Sequence, residues 1–321
     1  MAAPEVPPAD TPDPTADVSA DGGAPHDRGR RAAPGRAVTA ARLVHPFPSI
    51  LDGVVVALVA LVAGGSTAVA VALGVSMTLL QFAIGTVNDI VDAPRDAGQR
   101  VGKPIPDGIV SLRAARIVAV GTAAGGLALA LVGGPALVAL GAVGLVIGLA
   151  YDLWAKGTTL SWLPLAIGIP LLPVFGWYGA TGTLPGVFLV VIPAAANAGT
   201  ALAIANSIVD MERDEAAGTE SIALALGPDR AAWLVLVLQA VVAVLALSTA
   251  VVLGAPAGWI AAIVLAAATP LAGAVLGLVA ATRPETSWRE LAWEIQAVGT
   301  GLLAVAWLGA LSASAGTPLG G

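Results

Sequence analysis

Residues 53–96 read GVVVALVALVAGGSTAVAVALGVSMTLLQFAIGTVNDIVDAPRD, and the order of residue types along this stretch decides the fold. From Gly53 to Val87 there are 35 residues without a single Asp, Glu, Lys or Arg. A helix crosses a hydrocarbon core of about 30 Å with about 20 residues and manages with about 17, so the run holds two crossings. The cluster GGST at Gly64 to Thr67 marks where they part. The run then stops abruptly at Asn88, Asp89, Asp92 and Asp96.

Outward from this stretch the pattern repeats. Uncharged runs span Ile117 to Tyr151, Gly157 to Val209 and Ala231 to Thr282, with breaks at GGP (Gly133 to Pro135), YGATGTLPG (Tyr178 to Gly186) and GAPAG (Gly254 to Gly258). Each holds two crossings, and the last run, Ile295 to Gly321, holds one. The expected architecture is an all-α polytopic membrane protein: four hairpins and a closing helix, nine transmembrane helices in all. Composition agrees, with 57% hydrophobic and 11% charged residues and a mean hydropathy of +0.87. There is no cysteine, which excludes a disulfide scaffold, a zinc finger and a thiol enzyme. Residues 1–38, rich in Pro, Ala, Asp and Gly and without apolar periodicity, are expected to form a disordered tail, leaving 39–321 as one transmembrane domain.

All 15 Lys and Arg residues fall in the N-terminal segment or in the four charged islands between the runs, and none falls in the four breaks or the C-terminal tail. The positive-inside bias therefore predicts a cytoplasmic N-terminus, cytoplasmic islands and an external C-terminus. The expected location is the cell membrane, bacterial by this reading, with the ionisable chemistry on the cytoplasmic side. No nucleic-acid partner is expected.

Two islands open alike. Asn88, Asp92 and Asp96 stand at i, i+4 and i+8, and Asn206, Asp210 and Asp214 repeat the arrangement 118 residues later, in NSIVDMERDEAAG. Downstream, Arg113-Ala-Ala and Arg230-Ala-Ala open the next helix at offsets of 17 and 16 from the last Asp, so an internal duplication is inferred, covering 88–116 and 206–232. At this spacing an amide and two carboxylates share one helix face. Asp89 adds a carboxylate beside the first row. Such hard oxygen donors suit Mg²⁺, which keeps several waters and takes phosphate oxygens into its octahedron. Two facing acidic rows repel a diphosphate unless metal ions come between, with nearby Arg and Lys neutralising the remainder.

NDIVDAPRD resembles the NDxxDxxxD motif of the UbiA superfamily of membrane prenyltransferases, and NSIVDMERDEAAG with IALALG resembles its second Asp-rich motif and the stretch that follows. Smaller matches are Arg42-Leu-Val-His-Pro46 before the first helix, KPIPDGIVS from Lys103 to Ser111, and YDLWAK from Tyr151 to Lys156. The resemblance covers about residues 40–310. It implies an intramembrane Mg²⁺-dependent transferase that moves a polyprenyl group from an allylic prenyl diphosphate to a lipophilic acceptor, aromatic or a quinone precursor, in a site bounded by membrane lipid. On this resemblance Asn88, Asp92, Asp96, Asp210 and Asp214 are direct or water-mediated Mg²⁺ ligands, and Asn206 and Asp89 are indirect or additional ones. Arg42, Arg95, Lys103 and Lys156 contact the diphosphate. Asp92, Asp210, Lys103, Lys156 and Tyr151 carry the catalytic step. Tyr151 either hydrogen-bonds the diphosphate, lines the cation site, or is an interfacial tyrosine; Asp152 either orients Lys156 or caps its loop. His45 precedes Pro46 at the start of the first helix, and no histidine metal site is expected.

Two departures bear on the acceptor: Thr219 and Glu220 stand where relatives carry basic or hydroxyl residues, and Asp107 replaces a small residue of the PLPSG-like turn. They keep open a second reading, a terpene cyclase that ionises a prenyl diphosphate without an acceptor. A carrier is a further alternative, disfavoured because it predicts ionisable residues inside the uncharged runs.

Overall fold

The computed structural model describes residues 35–98, 102–281, 283 and 286–315. The described residues form helices only: α1 (Arg36–Ala41), α2 (Pro46–Val62), α3 (Thr67–Asp96), α4 (Leu112–Ala130), α5 (Pro135–Ala150), α6 (Leu163–Gly168), α7 (Leu171–Thr181), α8 (Phe188–Ala217), α9 (Ile222–Leu226), α10 (Pro228–Val252), α11 (Ala257–Ala280) and α12 (Thr286–Ala315). Eight helical segments, α6 and α7 together making one, are long and apolar enough to cross a membrane. The segment from α1 through α2, bent by 50°, makes a ninth when taken as one span. The expected four hairpins and closing helix are met on that count. α1 begins at Arg36, inside the stretch read as tail, because RAVTAA is made mostly of good helix formers; residues 1–34 lie outside the described residues.

Each of the four breaks falls where the sequence puts it. Ser66 and Ser111 cap α3 and α4 by accepting from Val69 N and Ala114 N. Pro46, Pro135 and Pro228 open α2, α5 and α10 in the first turn, where a missing N–H costs nothing. α8 ends at Gly218, whose φ of 65° closes the helix directly after the second acidic row.

In lipid the chain gains nothing from hiding apolar surface among its own helices, so close backbone approach has to hold them together. Glycines provide it. A Cβ on Gly53 would lie 2.6 Å from the Gly74 carbonyl, and one on Gly74 would lie 2.7 Å from the Gly53 carbonyl, so α2 and α3 touch backbone to backbone. Gly199 on α8 meets the Leu165 carbonyl of α6 in the same way, at 2.3 Å. Large apolar side chains such as Leu189 and Val252, 83% and 80% exposed, face outward where lipid belongs. The crossing formed by α6 and α7 is interrupted at Ile169 and Pro170, a break within the run Gly157 to Val209 that its apolar content did not reveal. Pro170 has no N–H to offer the Ala166 carbonyl, and Leu172 N turns to Ile169 O instead. A five-residue π-turn, Tyr151–Ala155, continues α5.

Candidate active site

The last turns of α3 and α8 bring Asn88, Asp92, Asp96, Asn206, Asp210 and Asp214 to the mouth of one cavity of about 1330 Å³. Lys103, Arg95, Tyr151 and Lys156 line it too. Its inner wall is mostly apolar, with Met77, Leu140, Phe175 and Trp307 among its residues.

Cationic side chains already engage the acidic rows. Lys156 Nζ lies 2.5 Å from Asp92 Oδ2, and Arg213 Nη1 lies 2.8 Å from Asp210 Oδ1. Lys103 Nζ lies 2.8 Å from Asp89 and 3.2 Å from Asp96. Burial works to lower the Lys103 pKa, but Asp89 and Asp96 outweigh it and hold the ammonium above the ordinary lysine value. The π-turn sets the other clasp. Its Lys156 N donates to Tyr151 O, five residues back, and the turn presents Asp152 and Lys156 at the same i, i+4 interval as Asn88 and Asp92 on α3. Asn88 Nδ2 donates to Asp152 Oδ1 at 2.7 Å, so two matched pairs join α3 to α5. Of the two roles open for Asp152, the structure gives a third: it accepts from Asn88, and its buried Oδ2 has no partner among the described residues.

Two expected site residues stand off the cavity wall. Asp89 is 4% exposed and sits behind the row, between Lys103 and His45. Arg42 brings its guanidinium beside Gly102, next to Lys103, without lining the cavity. Asp107 closes the loop that carries Lys103 by accepting from Gly102 N at 2.7 Å, which accounts for one departure from the family pattern. Thr219 fits the other: its hydroxyl donates to the Asp214 carbonyl at 3.2 Å and ties down the end of the second row.

Four wall residues were given no role from the sequence. His45, in left-handed backbone at φ 49°, reaches Asp89 at 3.3 Å. Arg213, three residues after Asp210, was legible from helical spacing alone. Asp52 and Gln81 form a 2.5 Å hydrogen bond deeper in the cavity, between α2 and α3. Asp52 borders the uncharged run that begins at Gly53 and lies within α2, so an ionisable group enters the first crossing.

Among the described residues no group of three or more His, Asp or Glu side chains stands ready to hold a metal. The donors nevertheless fit Mg²⁺, which is commonly bound by one or two carboxylates together with water and substrate phosphate rather than by an all-protein cage. Both rows offer only oxygen donors and open on a cavity with room for water and phosphate.

A family model, the UbiA prenyltransferase family, matches residues 53–295, which include both rows and the loops between. The chain belongs to this family. The UbiA chain is 33% identical over 144 residues to digeranylgeranylglyceryl phosphate synthase of Methanopyrus kandleri, a match covering 44% of this chain and 52% of that protein, about half of its length. A UbiA homologue from Aeropyrum pernix, solved without ligand, is similar with a TM-score of 0.63 at 21% identity over 80% of this chain and 96% of that one. The structure of a UbiA homologue from Archaeoglobus fulgidus bound to GPP and Mg²⁺ gives 0.60 at 18% identity, over 84% and 99%. At these identities the solved structures establish the fold.

Proposed function

We propose that this UbiA member transfers a prenyl group from an allylic prenyl diphosphate to a lipophilic acceptor at the cytoplasmic face of the membrane. The observation that carries the reading is the convergence of two acidic rows, from α3 and α8, on the mouth of a cavity whose inner wall is mostly apolar. The homologue that binds GPP and Mg²⁺ supports the same choice of donor.

In this reading Asn88, Asp92, Asp96, Asp210 and Asp214 hold Mg²⁺, directly or through water, with Asn206 and Asp89 behind them. The metal, when bound, supplies positive charge against the diphosphate leaving group. Lys103 and Lys156, now on Asp89, Asp96 and Asp92, turn to the phosphate oxygens, with Arg95 and Arg42 adding charge at the rim. Tyr151, which lines the same cavity, donates from its hydroxyl to the leaving oxygen in this reading. As the allylic C1–O bond breaks, the electron pair goes with the diphosphate, and the mouth cations stabilise it. The apolar wall holds the isoprenoid tail and keeps water from the cation. The acceptor then bonds to C1 and gives up its proton to the released diphosphate.

The test incubates membranes containing the protein with Mg²⁺ and prenyl diphosphates of different length, with and without phenolic acceptors, and measures diphosphate release and lipid products. A prenylated acceptor is the expected product. Release without an acceptor, giving a cyclic hydrocarbon or alcohol, replaces transfer by cyclisation; no release from any donor overturns both.

A further inference from the structure

Among the described residues every basic side chain on the cavity wall belongs to the mouth: Arg95 and Arg213 in the last turns of α3 and α8, Lys103 and Lys156 in the adjoining loops, and His45 beside Asp89. The interior, among the described residues, carries one ionisable group, Asp52. It lies seven residues into α2 from His45, and Gln81 lies seven residues before Asn88 on α3, so both stand about 10 Å inward from the mouth by helical rise. Among the described residues Gln81 Nε2 is the one hydrogen-bond partner of Asp52, bonded through Oδ2, and both side chains line the cavity, so Asp52 Oδ1 and Gln81 Oε1 lie outside that bond. A carboxyl group in a membrane helix is costly unless it serves a ligand or a partner, and one neutral amide offsets only part of that cost.

We propose that Asp52 and Gln81 form the subsite for the polar end of the acceptor, and that the acceptor is a neutral, hydroxyl-bearing lipophile rather than a carboxylated one. This rests on the prenyl-transfer reading and adds the acceptor class to it. A hydroxyl donates to Asp52 Oδ1 and accepts the second Nε2–H of Gln81, so one ligand group pairs with both side chains. A carboxylate at the same depth meets no cation and lies beside a second carboxyl group, so it is excluded. The subsite lies along the same cavity as the mouth, which lets an acceptor hydroxyl and the C1 end of the donor share one compartment.

The full chain in lipid nanodiscs is titrated with para-dodecylphenol and with para-dodecylbenzoate, following tryptophan fluorescence, since Trp293 and Trp307 line the cavity. Mg²⁺ and inorganic diphosphate are present throughout to occupy the mouth. The phenol is expected to bind about ten-fold more tightly than the benzoate. Asp52→Ala is expected to weaken phenol binding about ten-fold, and Asp52→Asn, which keeps an acceptor oxygen, to restore most of it. Equal binding of phenol and benzoate by the wild type overturns the proposal without any variant; unchanged phenol binding by a folded Asp52→Ala also overturns it. Diphosphate release by the wild type is measured separately, so failure of prenyl transfer and failure of the subsite are read from different experiments.

Discussion

Asp92 and Asp210 occupy the middle of their rows, and each is held by a cation that can leave it for a phosphate oxygen. Replacing either by Ala is expected to reduce Mg²⁺-dependent diphosphate release about 100-fold or more, while the protein still inserts. Near-normal release from either variant removes the metal assignment. Lys103 supports a different measurement because it stabilises the fold as well as the site. Its folded pKa is raised above the unfolded value, so its contribution is fully present below 10.5 and is lost as pH rises through the folded value. Lys103→Met, which leaves buried Asp89 without its ammonium, is expected to cost about 1–3 kcal/mol. That difference from wild type should stay level from neutral pH up to the ordinary lysine value and shrink beyond it, as read from unfolding midpoints against pH. At this scale the sequence was legible where residues repeat: the i, i+4, i+8 rows name their own face. It was illegible for Asp52 and His45, whose roles come from side chains 29 and 44 residues away, Gln81 and Asp89.

The helices are positioned by contacts that need a missing side chain. Gly199 lets α8 pass against the Leu165 carbonyl, and Leu165 is part of the cavity wall. Gly199→Leu is expected to push α6 away and destabilise the protein by about 1–3 kcal/mol, lowering the unfolding midpoint and widening the inner cavity. Gly74→Leu should have a similar thermal effect by separating α2 from α3, moving Asp52 and Gln81 apart. The helix ends were readable because Gly and Pro punctuate them, and all four hairpin breaks fall where GGST, GGP, YGATGTLPG and GAPAG stand. The interruption at Ile169 and Pro170 was not read, since proline is tolerated within membrane helices and gives no fixed sign of a break. The π-turn was equally hidden: nothing in YDLWAK specifies a five-residue hydrogen bond, and the pairing of Asn88 with Asp152 across 64 residues goes with it.

Across the whole molecule, the loops at the acidic end of the bundle carry the charge and the turns at the other end carry none. With the protein lacking cysteine, single substitutions can map this directly. Cysteine at Thr183 or Ala257 is expected to react with an impermeant maleimide in intact cells, and cysteine at Asp107 only after permeabilisation; the reverse pattern inverts the proposed orientation. This asymmetry was legible from charge position alone, whereas the depth and shape of the cavity depend on how α2, α3, α5, α7, α8 and α12 meet, which no single segment encodes. The lysine and arginine clasps on the acidic rows have one further consequence. The protein brings its own counter-ions to the membrane, so Asp89, Asp92, Asp96 and Asp210 each meet a cationic side chain within the fold. Insertion and loading then become separate events: a chelator added during synthesis should leave a fully folded, inactive protein with an unaltered unfolding midpoint, ready to work as soon as divalent cation returns.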